Sequence, residues 1–150
     1  MESIEYKRMR VFEEFYWWHV GRRKIVERVL KRILAKPAKI LEIGCGTGGN
    51  LNLLSRFGEV TGLDPSREAL AFCRAQGFSN VVEERAEDSH LPSESFDALV
   101  ALDVLEHIED DTRALRECFR VLRVGGYALF TVPAFQFLWS EHDEALNHKR

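Results

Sequence analysis

The sequence is sparing with the residues that build special architectures. It has three cysteines, Cys45, Cys73 and Cys118, far apart and without a Cys-x-x-Cys pair. An odd count with no signal peptide argues for free thiols in a reducing compartment, so a cytoplasmic protein is expected. No hydrophobic run is long enough to span a bilayer: the longest, Tyr127 to Trp139, is interrupted by Thr131, Pro133 and Gln136. Low-complexity tracts and repeats at solenoid periods are missing as well. Nor is there a large excess of one charge, the net being −3; this mild acidity, with no nucleic-acid module in view, speaks against a nucleic-acid partner.

What is present has an ordinary globular balance, 45% apolar and 30% charged over 150 residues, one domain's worth. The charge is unevenly placed. Residues 1–40 carry 11 Lys/Arg against 5 Asp/Glu, and the remainder 10 against 19. A basic segment of this kind meets an anionic substrate, a membrane surface or nucleic acid, or is a solvated helix face, the commonest case. Tyr6, Phe12, Phe15, Tyr16, Trp17, Trp18 and His19 crowd residues 5–20. Such density calls for packing, either in a core or as a lid over a bound cofactor or apolar substrate.

The chain is organised around Ile40-Leu41-Glu42-Ile43-Gly44-Cys45-Gly46-Thr47-Gly48-Gly49. An apolar run feeds a glycine-rich turn and then the helical pattern of Asn50 to Phe57, so strand, loop and helix are expected. Glycine lets the backbone take unusual dihedrals and lets a ligand lie against it near a helix N-terminus. About 20 residues on, Glu59-Val60-Thr61-Gly62-Leu63-Asp64 gives a second strand ending in a carboxylate, at the spacing where an acid meets ribose hydroxyls. A nucleoside-containing ligand follows. Gly44, Gly46 and Gly49 also satisfy the dinucleotide fingerprint, but Glu42 at the strand end sits badly beside a pyrophosphate and suits a ligand carrying an ammonium and a sulfonium. At these residues the chain resembles the class I S-adenosylmethionine-dependent methyltransferases, whose first motif is an acidic residue followed by Gly-x-Gly-x-Gly.

The rest of the chain continues the alternation. Ile25, Val26, Val29, Leu30, Ile33 and Leu34 recur at helical spacing over 22–34, ended by Pro37. Gly58 is expected to cap the helix after the loop. Asp64-Pro65-Ser66 opens a helix to about Gln76. Short strands are expected at 80–83 and 96–102, a helix at 111–122 closed by Gly125-Gly126, and a strand at 127–132 closed by Pro133. The fold expected is α/β: a doubly wound, Rossmann-like, mostly parallel sheet of about five strands with helices on both faces. Residues 1–36 form an aromatic, basic helical segment and 37–150 the cofactor-binding part of one compact body. Gly21-Arg22-Arg23 after an aromatic-rich helix, and the Gly-Gly turn before the last strand, extend the resemblance. The family's C-terminal strands have no counterpart in the sequence, so either this is a fragment or an incomplete sheet edge is left to a partner, a homo-oligomer among the possibilities.

The resemblance implies site residues. Glu42, Gly44, Cys45, Gly46 and Gly48 would surround the methionine part of S-adenosylmethionine, Asp64 would take the ribose hydroxyls, and Leu63 or Pro65 would flank the adenine. At Arg85-Ala86-Glu87-Asp88 the family places an acid before an Ala; Arg85 departs from that, leaving Ala86, through its amide, and Glu87. Ala101 and Leu102 would line the loop after the fourth strand.

Asp103-Val104-Leu105-Glu106-His107 is expected to begin a helix there, with its three polar side chains on one face. It resembles an acidic-x-x-Glu-His motif of ubiquinone-biosynthesis O-methyltransferases and small-RNA 2′-O-methyltransferases. Three uses stay open: Asp103 caps the helix while the others bond locally; Glu106 or His107 takes a proton from a substrate hydroxyl; or Asp103, Glu106 and His107 hold a divalent cation such as Mg, with His142 or His148 completing the site. The expected activity is methyl transfer to a small-molecule acceptor, more readily oxygen than nitrogen. A nicotinamide-dependent oxidoreductase, a non-catalytic binding or assembly module, and RNA methylation are the rivals.

Overall fold

The computed structural model describes residues 16–34 and 37–133. Helix α1 (Trp17–Ile33) leads to strand β1 (Ala38–Ile43), one helical turn α2 (Leu51–Leu54), β2 (Gly58–Leu63), α3 (Arg67–Ala75) and the short β3 (Val81–Val82). A 3-10 turn at Ala86–Asp88 precedes β4 (Phe96–Leu102); another at Leu105–His107 precedes α4 (Asp111–Val121) and β5 (Leu122–Thr131). The five strands are all parallel, in the order β3-β2-β1-β4-β5. The order reverses at β1, and the crevice beyond the carboxyl ends of β1, β2 and β4 is where such sheets take ligands.

Strand periodicity sorts the core into two layers. Leu41 and Ile43 of β1 join Leu99 and Ala101 of β4 on one face, covered by Ala114, Cys118 and Val121 of α4. Ala38 and Ile40 join Ala98, Val100 and Leu102 on the other, covered by Val26 and Leu30 of α1 and by Leu53 and Leu54 of α2. Apolar residues on both faces of a central strand are what a parallel sheet between helices requires. A smaller cluster of Cys45, Leu51, Leu70 and Cys73 seats α3 beside the glycine loop. All three cysteines are buried and none forms a disulfide among the described residues. No helix among the described residues is long and apolar enough to cross a membrane.

Helix starts follow their caps. Ser66 Oγ accepts from the Ala69 amide at 3.3 Å, and Asp110 Oδ1 accepts from the Arg113 amide at 2.9 Å. Two expectations change. The helix expected over 50–57 is only the turn Leu51–Leu54, and Gly58 does not cap it but opens β2. With φ at +152°, a Cβ on Gly58 would lie 1.9 Å from the Ala38 carbonyl oxygen, so the start of β2 presses on β1 too closely for any side chain.

The second change is at β5. Gly125-Gly126 is not the turn that closes α4, because β5 starts at Leu122 directly after Val121. Between the pairs Phe96↔Leu122 and Ala98↔Tyr127 the register shifts, two steps on β4 matching five on β5, and the glycines lie in that irregularity.

Gly58→Ala tests the close approach. It is expected to lower unfolding stability by about 2–4 kcal/mol, seen as a lower urea midpoint with unchanged slope; a wild-type midpoint would show that the strands can part at no cost.

Candidate functional site

β1 and β2 run in register to Ile43 and Leu63, so the loops that follow them are neighbours. The Gly44 and Cys45 amides both donate to the Leu63 carbonyl, at 2.8 and 3.1 Å. Asp64 then fastens the loop: its Oδ2 accepts from the Gly46 amide at 2.9 Å and its Oδ1 from the Ser66 amide at 2.8 Å. Burial raises the Asp64 pKa above the usual carboxylate value, while the two amides pull the other way. Glu42 is buried at the end of β1, where its Oε1 accepts from Asn50 Nδ2 at 2.8 Å. Between them lies Cys45, also buried. A hydrogen bond with Cys73 does most to push its thiol pKa up, followed by burial and then by the Glu42 charge, with a smaller contribution from Asp64. The loop is thus bracketed by two carboxylates.

The glycines have two distinct reasons to be glycine. Gly44 and Gly46 take φ of +67° and +52°, where side chains are disfavoured. A Cβ on Gly44 would also lie 2.5 Å from Val104 Cγ2, and one on Gly48 would meet Cys73 Sγ at 3.1 Å. At those two positions the space beside the backbone is taken by the protein's own side chains. Val104 forms a roof over Gly44, a contact that no local pattern in the sequence announces.

The segment 103–107 departs from expectation. No α-helix begins there: Leu105–His107 is a 3-10 turn whose N-cap is Val104, without a side-chain cap. Asp103 has φ of +55° and lies outside the turn. Glu106 is buried and His107 exposed, so the three polar side chains do not meet on one face. Both Asp103 carboxylate oxygens are engaged elsewhere, Oδ2 by Arg22 of α1 and Oδ1 by the Thr131 hydroxyl at 2.6 Å. Asp103 therefore caps no helix, and a divalent cation at Asp103, Glu106 and His107 is not supported: among the described residues no three His, Cys, Asp or Glu side chains are grouped to hold a metal ion. His142 and His148 lie outside the described residues.

Other expected residues sit as follows. Pro65 is exposed beside Asp64, whereas the Leu63 side chain is buried in the core. Ala86 is buried at the start of its 3-10 turn, and Glu87 Oε1 accepts from Arg85 Nε at 2.6 Å, so the residue that breaks the family's pattern pairs with its neighbour. Ala101 and Leu102 end β4 with their side chains packed into opposite core faces, leaving only their backbone toward the crevice. Arg22 and Asn50 were not among the expected site residues. Arg22 also lies 3.2 Å from His19 Nδ1, and the His19 pKa is lowered by burial first and by Arg22 second. An open groove of about 470 Å³, lined by residues including Ile33, Ala38, Asp97, Arg123 and Tyr127, lies at the amino ends of the strands, away from this crevice.

A family model for a methyltransferase domain matches residues 41–130. The chain belongs to the methyltransferase-domain family. Its parallel sheet and relatives place it with the class I S-adenosylmethionine-dependent enzymes. This methyltransferase domain is 36% identical over 102 residues to the ubiquinone biosynthesis O-methyltransferase of Alkalilimnicola ehrlichii, an alignment covering 62% of this chain and 40% of that protein. It is 36% identical over 106 residues to the phosphatidylethanolamine N-methyltransferase of Cereibacter sphaeroides, covering 66% and 52%. The crystal structure of an S-adenosylmethionine-dependent methyltransferase from Mesorhizobium loti matches with a TM-score of 0.60 at 30% identity, over 70% of this chain and 52% of that one. The methyltransferase domain described here therefore spans about half, or less, of these relatives' length.

The Arg22–Asp103 pair is mostly enclosed, with side-chain exposures of 12% and 28%. Arg22→Ala is expected to cost about 1–3 kcal/mol of stability by leaving that carboxylate without its cation. Most of the loss should disappear in an Asp103→Asn background, a non-additivity that a double-mutant cycle in urea would read; strict additivity would mean the pair contributes nothing.

Proposed function

We propose that this domain binds S-adenosylmethionine at the carboxyl ends of β1, β2 and β4 and serves methyl transfer to a hydroxyl of a small-molecule acceptor. The observation that carries the reading is the pair of carboxylates, Glu42 and Asp64, on either side of a loop with left-handed glycines. That donor set fits the cofactor. An ammonium and a sulfonium are favoured near buried negative charge, and ribose hydroxyls can donate to a carboxylate that the Gly46 and Ser66 amides hold in place. A pyrophosphate would meet the like charge of the buried Glu42, which disfavours the nicotinamide alternative, while Asp64 suits the ribose of either ligand.

In this reading Glu42, Gly44, Cys45, Gly46 and Gly48 surround the methionine part, chiefly with backbone, and Asp64 takes the ribose. Pro65 flanks the adenine, with Ala86 offering its amide and Glu87 its carboxylate at the rim. The backbone of Ala101 and Leu102 closes the methionine end. When bound, the cofactor supplies a methyl group on a positively charged sulfur, already a good leaving group. The protein therefore has to align the acceptor and exclude water rather than form a covalent bond. His107, exposed at the end of the 3-10 turn, is assigned to accept the acceptor's hydroxyl proton; Glu106, enclosed by protein, supports the turn that carries it. One named relative is a ubiquinone biosynthesis O-methyltransferase and another a phosphatidylethanolamine N-methyltransferase, so the acceptor class is not read from them.

Calorimetry with S-adenosylhomocysteine is the direct test. Micromolar binding is expected, weakened by about tenfold or more in Asp64→Ala, with no heat from NADH. Absence of binding, or an unchanged Asp64→Ala, would overturn the assignment. A pH series adds the sign. The ribose needs ionised Asp64, whose pKa in the free protein is raised by burial. Affinity should thus be full above that raised value and fall as pH drops through it, at a higher pH than an ordinary aspartate would give.

A further inference from the structure

The outward face of α1 has a composition that neither the core nor the crevice uses. Val26 and Leu30 turn inward, and Arg22 reaches Asp103 from the same side. On the opposite arc, at helical spacing, stand Trp17, Lys24, Arg28 and Lys31, flanked by Trp18, Ile25 and Arg32. Trp17 is 70% exposed, Trp18 48% and Ile25 66%, and all four cations on this arc are exposed. The tryptophan rings touch edge to face, with centroids 5.9 Å apart. The helix has one carboxylate, Glu27, which lies off the arc and is bonded to Lys31 at 2.8 Å. A helix face kept only for solubility has no use for two tryptophans and an isoleucine in water.

We propose that this face of α1 docks the protein on an anionic lipid surface. Tryptophans at the start of a helix and an isoleucine at its middle, with lysine and arginine on the same arc, match an interface where apolar groups enter the headgroup boundary and cations meet lipid phosphates. Charge complementarity supports this: the helix carries six Lys/Arg against one Glu, in a chain whose net charge is −3, so an anionic surface attracts the helix rather than the chain as a whole. RNA would use the same cations and tryptophans by stacking, but Ile25 offers nothing to a base, whereas a bilayer takes it with the indoles. Through the Arg22–Asp103–Thr131 contacts, the docked helix is tied to the ends of β4 and β5. Docking itself does not depend on the methyl-transfer assignment.

Flotation of the 150-residue protein with vesicles tests this. Retention is expected with equimolar phosphatidylglycerol and phosphatidylcholine at low salt, not with phosphatidylcholine alone, and should fall about tenfold at high salt. Arg28→Glu/Arg32→Glu, and separately Trp17→Ser/Trp18→Ser/Ile25→Ser, should each reduce retention about tenfold or more. Their urea midpoints and S-adenosylhomocysteine affinity should stay at wild-type values, because none of these side chains enters the core or the crevice. The proposal is overturned if the wild type ignores anionic vesicles, if both variants float like the wild type, if RNA at equal phosphate strips the protein from vesicles, or if the exposed face instead mediates self-association in sedimentation.

Discussion

One carboxylate holds the crevice together. Asp64 lies at the end of β2, accepts from the amide of Gly46 in the loop after β1, and accepts from the amide of Ser66, the cap of α3. Three elements are thereby fixed to one side chain. Because that side chain is largely withdrawn from solvent, its ionised form is costly, and burial raises its pKa despite the two donors. A charge kept at such a cost gains most when further donors arrive, and the hydroxyls of a ribose are donors. Each oxygen already accepts one amide, which fixes its place, and keeps a lone pair for a further donor.

The second constraint comes from the other edge of the crevice. Asp103 has to turn through a left-handed backbone conformation immediately after β4, and it does so bonded to Thr131 of β5 and Arg22 of α1. That turn delivers Val104 to the space over Gly44. Helix α1, the fourth strand and the glycine loop are therefore in one chain of contact. A glycine that looks like an opening for a ligand is, at position 44, also a socket for a neighbour.

These relations explain what could and could not be read in advance. β4 was legible to the residue, Phe96–Leu102, because an apolar run covered on both faces is bounded by polar residues. The loop and Asp64 were legible because their chemistry is local and their spacing is set by one strand, one helix and one strand. The start of β5 was not, since it depends on how Leu122 and Tyr127 pair with β4 rather than on Gly125-Gly126 themselves. Asp103 was misplaced for a similar reason: its partners lie 81 and 28 residues away, and helical spacing over 103–107 says nothing about them. Arg22 belongs to a Gly-Arg-Arg motif, but its ion pair with the residue after β4 has no signal in the segment that carries it.

Magnitude decides between the two cofactor classes that the glycine pattern admits. Two unit charges about 6 Å apart interact by about 2–3 kcal/mol at an effective dielectric of about 20. A contact between a ligand charge and Glu42 is worth a factor of tens in affinity at that scale, favourable for a cation and unfavourable for an anion. A dinucleotide would bring its phosphate charges beside the buried Glu42, while the helix that follows the loop is a single turn with little dipole to offset the repulsion. A sulfonium and an ammonium reverse that sign. In the proposed reading, glycines make the approach possible and Glu42 selects what approaches.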